Sequence, residues 1–130
     1  MKNALIYILD ENAIQGNLLK YQLSCGGFQN IHHYASIEEC LYAVHKNDHP
    51  DFIIIDPGTS GTNGLTFLQM VIQIDPSIKV IIFSSGDNEP DMRTFLNAGA
   101  IDYIVRNGNN QSSLRELISN LQFILKEKDQ

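Results

Sequence analysis

Two hydrophobic periods alternate along this chain, and that alternation restricts the fold more than any other feature. Continuous apolar runs of strand length recur, and helix-period segments separate them. Ala4 to Leu9 is the first run, of the kind buried on both faces of a sheet. Asn12 to Ser24 follows with Ile14, Leu18, Leu19 and Leu23 at helical spacing, and Gly26-Gly27 stops it. Phe28 to Tyr34 reads as a weaker strand, with the polar residues of a sheet edge. Ser36-Ile-Glu-Glu39 is a capping box, and Ile37, Leu41 and Val44 share one face of the helix it opens. Pro50 ends that helix, and Phe52 to Ile55 is the clearest buried strand. A loop from Pro57 to Gly64 leads to a helix through Leu65, Leu68, Val71 and Ile72. Ile78 to Phe83, a helix from about Pro90 to Gly99, the strand Ile101 to Val105 and a helix from about Ser112 to Lys126 complete the pattern.

Five βα units in one 130-residue chain predict an α/β fold. The sheet is five-stranded, parallel and doubly wound, with right-handed crossovers and helices on both faces. The expectation is a single domain over residues 1–130, with no output domain after the last helix. No run reaches the roughly 20 apolar residues of a membrane span, and Met1-Lys2-Asn3 does not begin a signal peptide. A cytoplasmic location follows as the default. Nine basic residues spread along a chain of net charge -6 argue against direct nucleic-acid binding. Cys25 and Cys40 lack CxxC spacing and read as buried, reduced thiols. His32 and His33 are adjacent on a strand, point to opposite faces and cannot chelate one metal as a pair. His45 and His49 read as ordinary surface residues.

Sites in such sheets form beyond the carboxyl ends of the strands. There the chain places Asp10-Glu11, Asp56, Ser84-Ser85 and Arg106. Three carboxylates, a hydroxyl and a guanidinium are thus expected at one edge. Crowded carboxylates raise one another's pKa, and a hard divalent cation such as Mg²⁺ relieves the repulsion.

On these residues the chain resembles the CheY-like receiver domains of bacterial two-component response regulators. The pieces stand in family order over about residues 4 to 125. They are Ile8-Leu9-Asp10-Glu11, Pro50-Asp51-Phe-Ile-Ile-Ile-Asp56, Gly64-Leu65, Val80-Ile-Ile-Phe-Ser84-Ser85 and Gly99-Ala100-Ile-Asp102-Tyr103-Ile-Val-Arg106. The resemblance implies the strand order 2-1-3-4-5 shared with flavodoxin. It implies that Asp56 accepts a phosphoryl group from a sensor histidine kinase or phosphotransfer protein. Mg²⁺ would be held by Asp10, Glu11, Asp56 and the Gly58 carbonyl, some through water. Ser84 would bind a phosphoryl oxygen, Arg106 stands where the family has lysine, and Tyr103 matches the switch aromatic. Such a protein catalyses its own phosphoryl transfer and hydrolysis rather than turning over a substrate. Its output, to a downstream effector protein or domain or through weak self-association, would use the face of the fourth helix, fifth strand and last helix.

Several positions depart from the family pattern. Asn107 replaces the proline after the lysine, Thr59-Ser60 replace Met-Pro, Pro57 follows Asp56 directly, Asn63 precedes Gly64, and the second acid is Glu11. Arginine is a planar, permanently charged fork rather than a point charge. The alternative on the same fold is therefore a degenerate receiver that acts as a phosphorylation-independent interaction module, with Arg106 already paired with Asp56 or with the acidic pair Asp10-Glu11. A flavin binder is disfavoured, because Asp10-Glu11-Asn12-Ala13-Ile14 is acidic where a phosphate loop is needed.

Overall fold

The computed structural model describes residues 4–57, 61–84, 92–106 and 110–128. Its elements are β1 (Leu5–Leu9), α1 (Ala13–Cys25), β2 (Asn30–Tyr34), α2 (Ile37–Lys46), β3 (Phe52–Ile55), α3 (Gly61–Ile74), β4 (Lys79–Ser84), α4 (Met92–Ala98), β5 (Asp102–Val105) and α5 (Asn110–Lys128). The strands form one sheet in the order β2-β1-β3-β4-β5, and every neighbouring pair is parallel. The class is that read from the alternation of periods, and the order is that implied by the resemblance.

The continuous apolar runs are explained by a core on each side of the sheet. Tyr7, Leu9, Ile53, Ile55, Val80 and Ile82 pack with residues of α2, α3 and α4. Their strand neighbours Ile6, Ile8, Phe52, Ile54, Ile81 and Phe83 pack with residues of α1 and α5. The side chains alternate with the period of two that a strand imposes.

The elements start and stop for local reasons. Asn12 caps α1 by accepting from Gln15 N, and Ser36 caps α2 by accepting from Glu39 N. After α1, Gly27 sits at φ 101°, where its lack of a Cβ is needed. Phe28 N then bonds Leu23 O and Gly27 N bonds Ser24 O, the Schellman arrangement, with Phe28 and Leu23 in one core.

Three expectations differ from what is observed. Helix α3 begins at Gly61, so the loop expected to run to Gly64 is shorter. On α1 the buried face is Gly16, Leu19 and Leu23, while Ile14, Leu18 and Tyr21 are exposed. Apolar residues occupy both faces of that helix, so spacing alone could not choose the inner one. Cys40 is buried, and burial pushes its thiol up to about 12, but Cys25 at the end of α1 is exposed.

Candidate functional site

The site is built by three backbone ladders that each run one residue beyond their strands. Asp10 N donates to Tyr34 O, Asp56 N to Leu9 O and Arg106 N to Ser84 O. Leu9 pairs with Ile55 in register, so Asp10 and Asp56 emerge side by side from β1 and β3. Asp10, Asp56 and Arg106 have the same parity as Ile8, Ile54 and Ile104, all of which face the α1/α5 core. Strand alternation therefore sends the three charged side chains to one side of the sheet edge.

Arg106 and Asp56 are both deeply placed, with side chains 9% and 4% exposed. Arg106 Nη1 lies 3.7 Å from Asp56 Oδ2, an ion pair too long for a hydrogen bond. The guanidinium carbon sits 4.2 Å from the Phe83 ring centroid, so a cation–π contact holds the group beside Asp56 instead of forked onto it. Burial lowers the Arg106 pKa, while the charges of Asp56 and Asp10 oppose that shift.

Asp10 is 4% exposed. Its Oδ1 accepts from Asn12 N at 2.9 Å, and its buried Oδ2 has no hydrogen-bond partner among the described residues. Desolvation holds its carboxyl above the usual range. The Asn12 amide opposes the rise, the charge of Asp56 adds to it, and Arg106 and His33 oppose it. A buried carboxylate oxygen left without a donor is suited to a hard cation.

The three acids stand at the one sheet edge where they are expected, but not as a preformed ligand cluster. Among the described residues, no group of three His, Cys, Asp or Glu side chains is placed to hold a metal ion. Glu11 is exposed and lines a shallow cleft with Leu9, Ile37, Ile55, Asp56, Pro57 and Gly64. Glu11 lies two residues beyond the end of β1, past the last ladder bond at Asp10 N, and stands at the mouth of the site. Asp10 and Asp56 thus form an inner pair with Glu11 at the cleft wall. That arrangement suits Mg²⁺, which keeps several waters and takes few protein carboxylates.

Ser84 is fully buried at the end of β4, paired in register with Val105. Tyr103 is 9% exposed and packs on Phe95 with ring centroids 5.8 Å apart, so the aromatic already lies inward. Asp102 accepts from Tyr103 N and Asn120 Nδ2 and is half-buried, which accounts for it as a structural acid. Gly58, Ser85 and Asn107 lie outside the described residues.

Two site residues escaped the sequence analysis. Gln15 of α1 donates from Nε2 to Asp56 Oδ2 at 2.9 Å. Its signal was the pattern Asn12-x-x-Gln15, a capping motif whose helix lies on the Asp56 side of the sheet. His33, read as structural or solvent-facing, contacts the Asp10 carbonyl through Nε2 at 2.9 Å. Its ring lies so close to Gly16 that a Cβ there would stand 2.2 Å from Nε2. His32, the other member of that pair, is exposed and meets Tyr7 edge-on.

Comparison with known proteins agrees with this fold. The family model of the response regulator receiver domain matches residues 6–119. The chemotaxis protein CheY of Bacillus subtilis is 29% identical over 103 residues, covering 78% of this chain and 83% of that protein. The transcriptional regulatory protein MalR of the same organism is 28% identical over 102 residues. That match covers 78% of this chain and 43% of MalR, so the chain spans less than half the length of that relative. Among solved structures, a two-component response regulator from Clostridium difficile superposes with a TM-score of 0.81 at 20% identity, covering 98% of this chain and 99% of that one. A CheY-like receiver domain protein from Methanospirillum hungatei gives 0.76 at 22% identity, with 97% and 99% covered.

Proposed function

The chain belongs to the response regulator receiver domain family, and from that premise we propose that it is a phosphoacceptor switch working through Asp56. The donor is a phosphohistidine on a sensor histidine kinase or phosphotransfer protein. The phosphorus leaves the imidazole nitrogen and bonds an Asp56 carboxylate oxygen, giving an acyl phosphate. Asp10 and Asp56, with Glu11 and the Gly58 carbonyl, are the residues that would hold Mg²⁺. When bound, the ion supplies neutralisation of charge on the phosphoryl oxygens.

The chain's own groups do the remaining work. The two backbone ladders hold Asp10 and Asp56 side by side, and phosphoryl transfer depends on such fixed positioning. Arg106 brings a permanent positive charge to the phosphoryl side of the pocket. Ser84, at the end of β4, would donate its hydroxyl to a phosphoryl oxygen. The added charge then biases β4 and β5, and Tyr103 carries the change through its packing on Phe95 to the face of α4, β5 and α5. A downstream effector or a second copy binding weakly would read that face. The site of action is proposed to be the cytoplasm; no described helix is long and apolar enough to cross a membrane.

The observation that carries this reading is the pairing of Asp10 and Asp56 with a guanidinium that stays 3.7 Å away. A degenerate receiver locked by Arg106 would call for a short, forked contact on Asp56. Incubation with acetyl phosphate and Mg²⁺, followed by intact mass, tests the proposal. Wild type is expected to gain one phosphoryl group and Asp56→Asn none. Unlabelled wild type, or equal labelling of both proteins, would overturn it.

A further inference from the structure

Gln15 occupies the third position of α1, directly after the Asn12-Ala13-Ile14 start. In a capping box the side chain at that position bends back to the N-cap amide. Here Asn12 N donates to Asp10 Oδ1 instead, and the Gln15 carboxamide reaches across to Asp56 Oδ2 at 2.9 Å. The contact fixes the orientation of the amide, since its oxygen would repel a carboxylate. Arg106 approaches the same Asp56 oxygen from 3.7 Å. Oδ2 thus has one hydrogen-bond donor, the Gln15 amide, and a cation at ion-pair distance.

We infer that Gln15 sets the lifetime of the phosphorylated state by donating to the Asp56 oxygen that recovers negative charge when the phosphoryl group leaves. The inference rests on Asp56 being the phosphoacceptor. With Oδ2 engaged by the Gln15 amide, Oδ1 is the oxygen that bonds phosphorus, and Oδ2 becomes the carbonyl oxygen of the acyl phosphate. In hydrolysis, water attacks phosphorus and the P–Oδ1 bond breaks. The bonding pair stays on Oδ1, and the returning charge is shared with Oδ2. Dihydrogen phosphate carries off both protons of the water, leaving the Asp56 carboxylate.

The Gln15 N–H bond is weak to a neutral acyl oxygen and strong to a carboxylate. It therefore strengthens along the path to hydrolysis, which is the condition for accelerating that step. The same bond stabilises the resting carboxylate, so its removal should not slow phosphoryl uptake. Loss of a merely structural contact would loosen the pocket and do the reverse.

Gln15→Met keeps the bulk without the donor, and Gln15→Ala removes both in a residue that favours helix. Wild type and both variants are labelled with acetyl phosphate and Mg²⁺, checked for fold by circular dichroism, and transferred to donor-free buffer containing Mg²⁺. Intact mass is then followed against time. Decay is expected to slow by about tenfold in both variants, with uptake equal to wild type or faster. Labelled variants that decay at the wild-type rate or faster would overturn the role of Gln15 while leaving Asp56 as phosphoacceptor. Wild type that takes up no label would overturn the reading of Asp56 itself, and this inference with it.

Discussion

The two ends of the sheet carry the same residue types in opposite electrostatic conditions. At the amino-terminal edge, Asp51 Oδ2 accepts from Leu5 N at 2.9 Å, and its backbone ties β1 to β4. Nearby, Asp75 accepts from Ser77 N and Ser77 Oγ and pairs with His49 Nδ1 at 2.7 Å. Those bonds, the Ser77 hydroxyl first, lower the Asp75 pKa to about 2. At the carboxyl-terminal edge, Asp10 is buried with one oxygen unbonded among the described residues, and its pKa is raised. An acid that folding has satisfied is structural. One that folding leaves under-bonded is suited to a ligand, and among the described residues that acid lies at the carboxyl-terminal edge.

The largest expected effect sets the two ends against each other. Asp10→Asn should weaken Mn²⁺ or Mg²⁺ binding by at least about tenfold, because it removes a buried charge from a hard-cation site. The same change should stabilise the metal-free protein by roughly 0.5–2 kcal/mol, the size of gain common where function had imposed the strain. Asp51→Ala should do the opposite. It leaves the Leu5 amide without its partner, at a cost of about 1–3 kcal/mol, and leaves metal affinity unchanged. Urea unfolding together with metal titration reads both. Destabilisation by Asp10→Asn would break the distinction between the two edges.

A smaller effect sharpens it within the functional edge. The backbone of Asp10 is secured even though its side chain is not, because His33 holds the Asp10 carbonyl and fills the space over Gly16. Gly16→Ala gains about 0.8–1 kcal/mol of helix propensity. It also drives the imidazole off Asp10, and overpacking costs roughly 1–3 kcal/mol. The clash should win, with a net loss on the order of 1 kcal/mol and weaker metal binding. Adding His33→Ala removes the clash, so a double-mutant cycle should show a favourable coupling. Additive losses would mean that the ring and the glycine do not constrain each other.

Most of the sheet was legible because every central strand is apolar on both faces, and Asp10, Asp56 and Arg106 follow from where those strands stop. What could not be read was which neighbour each polar group would choose. Asn12-x-x-Gln15 states a capping box, yet the structure sends Asn12 N to Asp10 and the glutamine amide to Asp56. That diversion depends on the first turn of α1 lying within reach of Asp56 at the end of β3, a long-range placement that no local pattern encodes. The inner face of α1 was ambiguous for the same reason, with Ile14 and Leu18 as apolar as Leu19 and Leu23.

The smallest effect is in the pH dependence of stability, and its sign differs at the two edges. Asp75 has a folded pKa of about 2, below its ordinary value of 3.8. A depressed carboxyl binds fewer protons when folded, so its contribution is complete above pH 3.8 and fades as pH falls towards 2. Asp10 has a raised folded pKa, so the penalty for its buried charge is complete above that pKa. As pH falls from there towards the unfolded value, the folded state takes up the proton first and the penalty disappears. Metal-free protein should therefore gain stability from Asp10 on mild acidification and lose it from Asp75 on strong acidification. Stability measured by urea unfolding at intervals between neutrality and pH 2 separates the two. Asp10→Asn should flatten the upper part of the profile and leave the lower part intact, and Asp75→Asn should do the converse. A wild-type profile that falls monotonically from neutrality, unchanged by Asp10→Asn, would show that Asp10 is already relieved in the resting protein. The electrostatic difference between the edges would then have to be sought in Arg106 and Asp56 alone.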